Sequence, residues 1–254
     1  MNFEKFLAVN KNIEVTIKEK TASTNDDAKV FGETDQKDHL IISFEQTAGK
    51  GRKDRTFYSP KNTGIYMSIL LHPQINANDI GLLTTAAAVY TARAIEKYSG
   101  KKTEIKWVND IFINSKKVCG ILCESAFKGA AVPKYVVIGI GINLYAPKDN
   151  FPNEIKDIAA SVFENSNRDD QITANIISEI TNNLYDVLYG GKLNEHIEEY
   201  KSKNFLLNKE VSFIKQNKKI KATVTGLDNK LNLLVKTKSG DTLTLFDGEV
   251  KLEY

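Results

Sequence analysis

Between Gln46 and Arg55 the chain reads Gln-Thr-Ala-Gly-Lys-Gly-Arg-Lys-Asp-Arg, then Thr-Phe-Tyr-Ser-Pro to Pro60. Gly49 and Gly51 allow a backbone to approach a phosphate closely, while Lys50, Arg52, Lys53 and Arg55 bring positive charge. The spacing is not that of a Walker A loop. It is not a dinucleotide fingerprint either, because Asp54 stands where a third glycine belongs. On charge alone, a solvated basic loop is the simpler account.

A second group is Lys106-Trp-Val-Asn-Asp110, continuing to Lys117-Val-Cys-Gly-Ile-Leu-Cys-Glu124. Around one hairpin it offers two cations, an amide and two carboxylates. Asn109 and Asp110 are oxygen donors suited to Mg²⁺, and lysines suit the oxygens of a triphosphate. Either strand alone reads equally well as an amphipathic strand with its charges in water. A third group is Gly139-Ile-Gly-Ile-Asn143. Glycine inside a buried strand marks close approach by a ligand or by another backbone, and tight helix packing explains it as readily. His39, His72 and His196 have no ligand spacing, Cys119 and Cys123 have no matching histidine, and no serine sits in a nucleophile elbow.

The elements that must carry these groups follow from periodicity. Alternation at Ile13, Val15 and Ile17 predicts a strand, as do His39–Glu45 and Gly64–Leu71. Asp26–Val30 reads as a short helix with a Ser/Thr N-cap. A long helix starts near Asn78-Asp79 and ends before Gly100. Tyr135–Asn143 is a nearly continuous apolar run, expected of a strand buried on both faces. Helices over Gln171–Tyr189 and Leu193–Lys201 follow. After Asn204 come five short alternating strands separated by turns at Gln216-Asn217, Asp228-Asn229 and Ser239-Gly240, which predict a small SH3-like β-barrel. The expected division is a domain over residues 1–205 and a second over 206–254.

Composition sets the outer bounds. The chain has 254 residues, 41% hydrophobic and 26% charged, with 35 Lys+Arg against 32 Asp+Glu. A net charge of +3 does not by itself call for nucleic acid or membrane. Two cysteines cannot form a disulfide framework and point to a reducing compartment. No stretch reaches the roughly 18 apolar residues of a membrane span, and the N-terminus lacks a signal-peptide core. These bounds fit a cytoplasmic α/β or α+β protein.

Taken together, the segments resemble the biotin protein ligases, or biotin–[acetyl-CoA-carboxylase] ligases. Ser23-Thr24-Asn25, Gly49–Pro60, Lys106–Asp110, Lys117–Glu124 and Gly139–Asn143 stand in that family's order and at matching separations. Four positions depart from its pattern: Lys50 for arginine, Asp54 for glycine, Val108 for proline and Phe57 where tryptophan is frequent. The resemblance implies an α+β fold with a class II aminoacyl-tRNA synthetase-like mixed sheet, helices behind it and a C-terminal SH3-like barrel. It implies that biotin and MgATP form biotinyl-5′-AMP, which a lysine of a biotin carboxyl carrier protein then attacks. It assigns Lys117 and Arg52 to catalysis, and Ser23, Thr24, Asn25, Gln46, Gly49, Lys50, Arg52, Lys117 and Gly120 to biotin. ATP falls to Arg52, Arg55, Phe57, Lys106, Asn109 and Asn143, and the metal to Asn109 and Asp110.

Some twenty residues precede Ser23, too few for the winged helix of repressor members, so no operator binding is expected. The expected partner is the carrier domain, with no nucleic acid and no membrane, and homodimerisation stays open. A lipoate ligase of the same fold is one alternative, although its Arg-Arg-x-Ser-Gly-Gly-Gly loop is missing. A non-catalytic binding module built around the C-terminal barrel is the other.

Overall fold

The computed structural model describes residues 3–53, 55–127, 129, 131–246, 248 and 250–253. Asp54 of the basic loop and Glu249 and Tyr254 of the last expected strand lie outside the described residues.

Seven strands form one sheet in the order β1-β2-β3-β7-β6-β5-β4. They are β1 (Ile13–Lys18), β2 (Asp38–Ser43), β3 (Gly64–Leu71), β4 (Glu104–Lys106), β5 (Asp110–Ile113), β6 (Lys116–Phe127) and β7 (Pro133–Asn143). Only β1 and β2 run parallel; every other neighbouring pair is antiparallel. A parallel pair needs a crossover, and α1 (Thr24–Thr34) supplies it. Helix α2 (Ile80–Ser99), preceded by a 3₁₀ turn at Ala77–Asp79, packs with α3 (Asp170–Tyr189). Asp169 caps α3 by accepting from the amides of Gln171 and Ile172. The short helix expected at Leu193–Lys201 lies four residues later at its start, as α4 (Ile197–Lys203).

Both faces of the central strands are covered, which explains the unbroken apolar runs. On one face Leu40, Ile42, Ile69, Leu71, Val136 and Ile138 join the main core with α2 and α3. On the other, Ile41, Leu70 and Val137 pack with Ala28 of α1. Helix α1 covers only part of that second face, and the remainder carries the candidate site.

The second sheet is antiparallel, in the order β11-β10-β9-β8-β12. Its strands are β8 (Glu210–Lys215), β9 (Lys218–Leu227), β10 (Leu233–Thr237), β11 (Thr242–Leu245) and β12 (Lys251–Leu252). All five expected strands form, but among the described residues β11 and β12 remain open edges, so the expected closed barrel is not formed by pairing. Glu253 pins the β12 end against Lys219 and Lys221, which hold its carboxyl at about 2. The Trp107 indole N–H donates to the Leu231 carbonyl at 2.9 Å, tying the two sheets together. Among the described residues, no helix is long and apolar enough to cross a membrane.

Candidate active site

Strand register alone brings most of the chemistry to one face. Ser68 lies opposite Gly139, Gly139 opposite Leu122, Gly141 opposite Gly120, and Gly120 opposite Asp110, which pairs in turn with Lys106. Directly opposed residues share a face, so all these positions look the same way. Lys117 joins them through a bulge. The register shifts between Ile111 and Phe112, setting Phe112 against Lys117 while Ile111 still faces Cys119. Simple alternation would have sent Lys117 to the core with Cys119. Instead its ammonium lies 2.6 Å from Asp110 Oδ1, close above Gly120.

The Ser23-Thr24-Asn25 segment meets Gln46 because the parallel pairing of β1 and β2 continues past both strands. Thr21 bridges Gln46, and the amides of Thr47 and Ala48 donate to the carbonyls of Thr21 and Ala22. The Thr24 amide then donates to Gln46 Oε1 at 2.9 Å, and the Gln46 amide group donates to Ser59 Oγ at 3.0 Å. Ser23, Thr24 and Asn25 are buried.

The basic loop folds into a hairpin. Lys50 bridges Thr56, the Gly51 amide donates to the Arg55 carbonyl, and the Phe57 amide donates to the Gly49 carbonyl. Gly49 is required by this hairpin, because a Cβ there would lie 2.6 Å from the Phe57 carbonyl. Lys50 Nζ reaches back to Asp26 of α1 at 2.5 Å, and that bond raises its pKa.

Gly139 and Gly141 are needed where the chain crosses itself. A Cβ on Gly139 would lie 2.1 Å from Asn25 Oδ1, and one on Gly141 would lie 2.6 Å from the Phe57 ring. Of the two readings of this Gly-x-Gly strand, Gly139 answers to tight helix packing, since Asn25 belongs to α1, whereas Gly141 is crowded by the Phe57 ring.

Two cavities meet on this face. One is lined by Ser23, Thr24, Asn25 and Gln46, none of which carries a formal charge. The other is lined by Arg52, Arg55, Lys106, Asn109, Asp110 and Lys117, with Trp107 at its side and Gly248 and Val250 from between β11 and β12. Lys50, Phe57, Gly120 and Leu122 line both. Gly49 and Asn143 line neither. Asn143 does stand on the same face, but two residues beyond Gly141. Asn109 uses its amide on the Ile121 carbonyl at 2.6 Å, which fixes the turn into β5.

Ser68, Ser59 and Glu124 line neither cavity but hydrogen-bond to Asn25 and Gln46, which do. Ser68 had a signal: it is the only polar side chain within an otherwise apolar run, Ile65-Tyr-Met-Ser-Ile-Leu-Leu71. The thiols take no part. Burial pushes Cys123 up to about 11 and Cys119 higher still, which keeps both un-ionised.

The region from β1 through β7, which carries both cavities, is the part of the chain that a known protein family matches. The model of the biotin/lipoate A/B protein ligase family matches residues 15–143, from β1 to the last residue of β7, and the chain belongs to that family. It is 45% identical over 127 residues to the bifunctional ligase/repressor BirA of Bacillus spizizenii, across 50% of this chain and 39% of the relative. It is 33% identical over 132 residues to the biotin–[acetyl-CoA-carboxylase] ligase of Paracoccus denitrificans, across 51% of this chain and 54% of that protein. The matches thus span about half or less of these relatives' length. Among solved structures, the biotin protein ligase of Aquifex aeolicus in complex with biotin and ATP is similar, with a TM-score of 0.74 at 25% identity, covering 94% of this chain and 98% of that one.

Proposed function

We propose that the protein is an ATP-dependent biotin ligase acting on a biotin carboxyl carrier protein. The observation that carries this reading is the meeting of a small, polar pocket with a basic one, with Lys117 above the Gly120 that lines both. Biotin's cyclic urea fits the first, through Ser23, Thr24, Asn25 and Gln46. Its carboxylate then points to Lys117, Lys50 and Gly120. ATP occupies the second, with Arg52, Arg55, Phe57, Lys106 and Asn109 around it, and Asn143 beyond.

The chemistry needs those cations. A carboxylate oxygen attacks the α-phosphorus, the bond to the bridging oxygen breaks, and pyrophosphate leaves. Two anions must approach each other, so fixed positive charge lowers that barrier. Lys117 bridges the carboxylate and α-phosphate in this reading, and Arg52 closes from the loop. In the second step a neutral lysine amine of the carrier attacks the acyl carbon. The bond to AMP breaks, and the ammonium's proton goes to solvent. Asn109 and Asp110 fit a Mg²⁺ that arrives on the nucleotide. Among the described residues no three His, Cys, Asp or Glu side chains gather as a resident metal would need. Bound there, Mg²⁺ supplies charge neutralisation on the phosphates.

The same reading takes residues 1–205 as a class II aminoacyl-tRNA synthetase-like catalytic domain and 206–254 as an SH3-like domain, working in the cytoplasm. The test is pyrophosphate release with biotin, lipoate or neither, followed by avidin blotting of a carrier domain. Release that needs biotin, with label on the carrier, is expected. Equal release with lipoate, or none with either acid, overturns the reading.

A further inference from the structure

The basic loop and the first turn of α1 run side by side, and the ties between them fall in chain order. The amides of Thr47 and Ala48 donate to the carbonyls of Thr21 and Ala22, and the Thr24 amide donates to Gln46 Oε1. Beyond Ala48 the hairpin's backbone, among the described residues, pairs with itself: Lys50 bridges Thr56, Gly51 donates to Arg55, and Phe57 donates to Gly49. The next tie to α1 is made by side chains. Lys50 Nζ lies 2.5 Å from Asp26 Oδ1, just past Thr24 and Asn25, which line the small cavity.

The surroundings leave Asp26 to that contact. Its neighbour Asp27 accepts from Thr21 Oγ1 at 2.7 Å and pairs with Lys18 at 2.9 Å. Lys29 is 3.7 Å from Asp26 but only 2.6 Å from Glu124. An ammonium carries three N–H groups, so one spent on Asp26 leaves two for a ligand. Lys50 lines both cavities, so the tie and a bound ligand are compatible. The tie is also weak. The two side chains are 42% and 46% exposed, and an exposed ion pair shifts an equilibrium by at most about fivefold. That strength suits a loop that has to open for each ligand.

We propose that Asp26 is a positioning residue that holds the Lys50 end of the basic loop on α1 and so keeps the loop closed over the junction of the two cavities. Asp26 itself lines neither cavity; it acts through Lys50. The inference rests on the proposed function for the identity of the ligand, and it adds what holds the loop down.

The test reads the loop with an arginine-specific protease. Arg52 and Arg55 lie in the hairpin, whereas Arg93 is within α2 and Arg168 pairs with Asp170, so fragment size reports which segment opened. Cleavage follows the population of the open form when opening and closing outpace the protease. At low salt, Asp26→Asn should be cut in the hairpin two- to fivefold faster than wild type and should release biotin faster by a similar factor. At about 1 M salt the wild type should approach the variant, because screening removes the tie. Asp26→Glu keeps the charge and should stay near wild type. Asp26→Lys combined with Lys50→Asp exchanges the charges and should be cut more slowly than either single variant. A purely structural effect would lower the urea midpoint, persist in salt and resist rescue by the exchange. Hairpin cleavage of Asp26→Asn at the wild-type rate, or an increase that ignores salt, overturns the inference alone. Wild-type protein that binds no biotin overturns the biotin reading, and the protease comparison still decides the tie.

Discussion

Replacing Gly139 with alanine tests the architecture of the small pocket at its tightest point. The added Cβ would lie 2.1 Å from Asn25 Oδ1, whereas carbon and oxygen in contact sit about 3.3–3.6 Å apart. Asn25 must therefore retreat by roughly 1.2 Å or more. That movement breaks its bond from Ser68 and its bond to Glu124, at 2.5 and 2.8 Å. A neutral hydrogen bond contributes about 1 kcal/mol net and one to a charged group about 1.5–3, so the loss is about 2–4 kcal/mol. Removing glycine from the unfolded chain offsets about 0.4–1 kcal/mol of this. The steric effect wins. Urea unfolding of Gly139→Ala should show a net loss of about 2–3 kcal/mol, with biotin bound about tenfold more weakly. In an Asn25→Ala background the obstacle is gone, and the same substitution should be neutral or mildly stabilising. If Gly139→Ala is as stable as wild type, or equally damaging without the Asn25 side chain, the crossing does not govern this site.

Three further outcomes follow from the site and its surroundings. Lys117→Ala should cut biotin-dependent pyrophosphate release about 10³-fold, mostly in kcat, because the ammonium sits where negative charge gathers; near wild-type turnover would remove that role. Arg52→Gly should release the adenylate early, so that avidin blots of a carrier and albumin mixture show label on both; label confined to the carrier, at the wild-type off-rate, would mean that this arginine does not seal the pocket. Buried His196, 2.8 Å from Thr85 Oγ1, has its pKa pushed down to about 4 by desolvation. The unfolded chain therefore binds a proton first as pH falls. The stability this histidine contributes is intact above about 6.5 and declines by about 3 kcal/mol toward pH 4. The stability difference between wild type and His196→Gln should narrow over that window; a constant difference would refute the assignment.

Local signals foretold local structure. The long periodic helix and its terminal Gly100, the apolar β7 and the five short strands near the C-terminus all formed close to where the pattern put them. Lys106, Asp110, Gly120 and Gly141 came to one face because their motifs sit on neighbouring antiparallel strands. What the pattern could not carry was pairing between distant segments. The parallel match of β1 to β2 sets Thr24 beside Gln46, yet neither strand says which neighbour it will choose. The bulge that turns Lys117 toward Gly120 is a register fault, invisible to alternation. The pairing of Ser68 with Asn25 likewise joins residues 43 positions apart. Barrel closure depends on how two edges meet, which composition does not encode.

The indole that joins the two sheets has a practical consequence. Trp107 is the only tryptophan in the chain, it is buried, and it lines the basic cavity beside Gly248 and Val250. Its N–H is committed to the Leu231 carbonyl across the junction. All tryptophan emission therefore comes from one place, where the proposed function puts the nucleotide and where the smaller sheet is fastened. Ligand arrival and loss of that fastening would perturb the same fluorophore, one beside the ring and the other at its nitrogen. The protein thus carries an unlabelled optical gauge for both events.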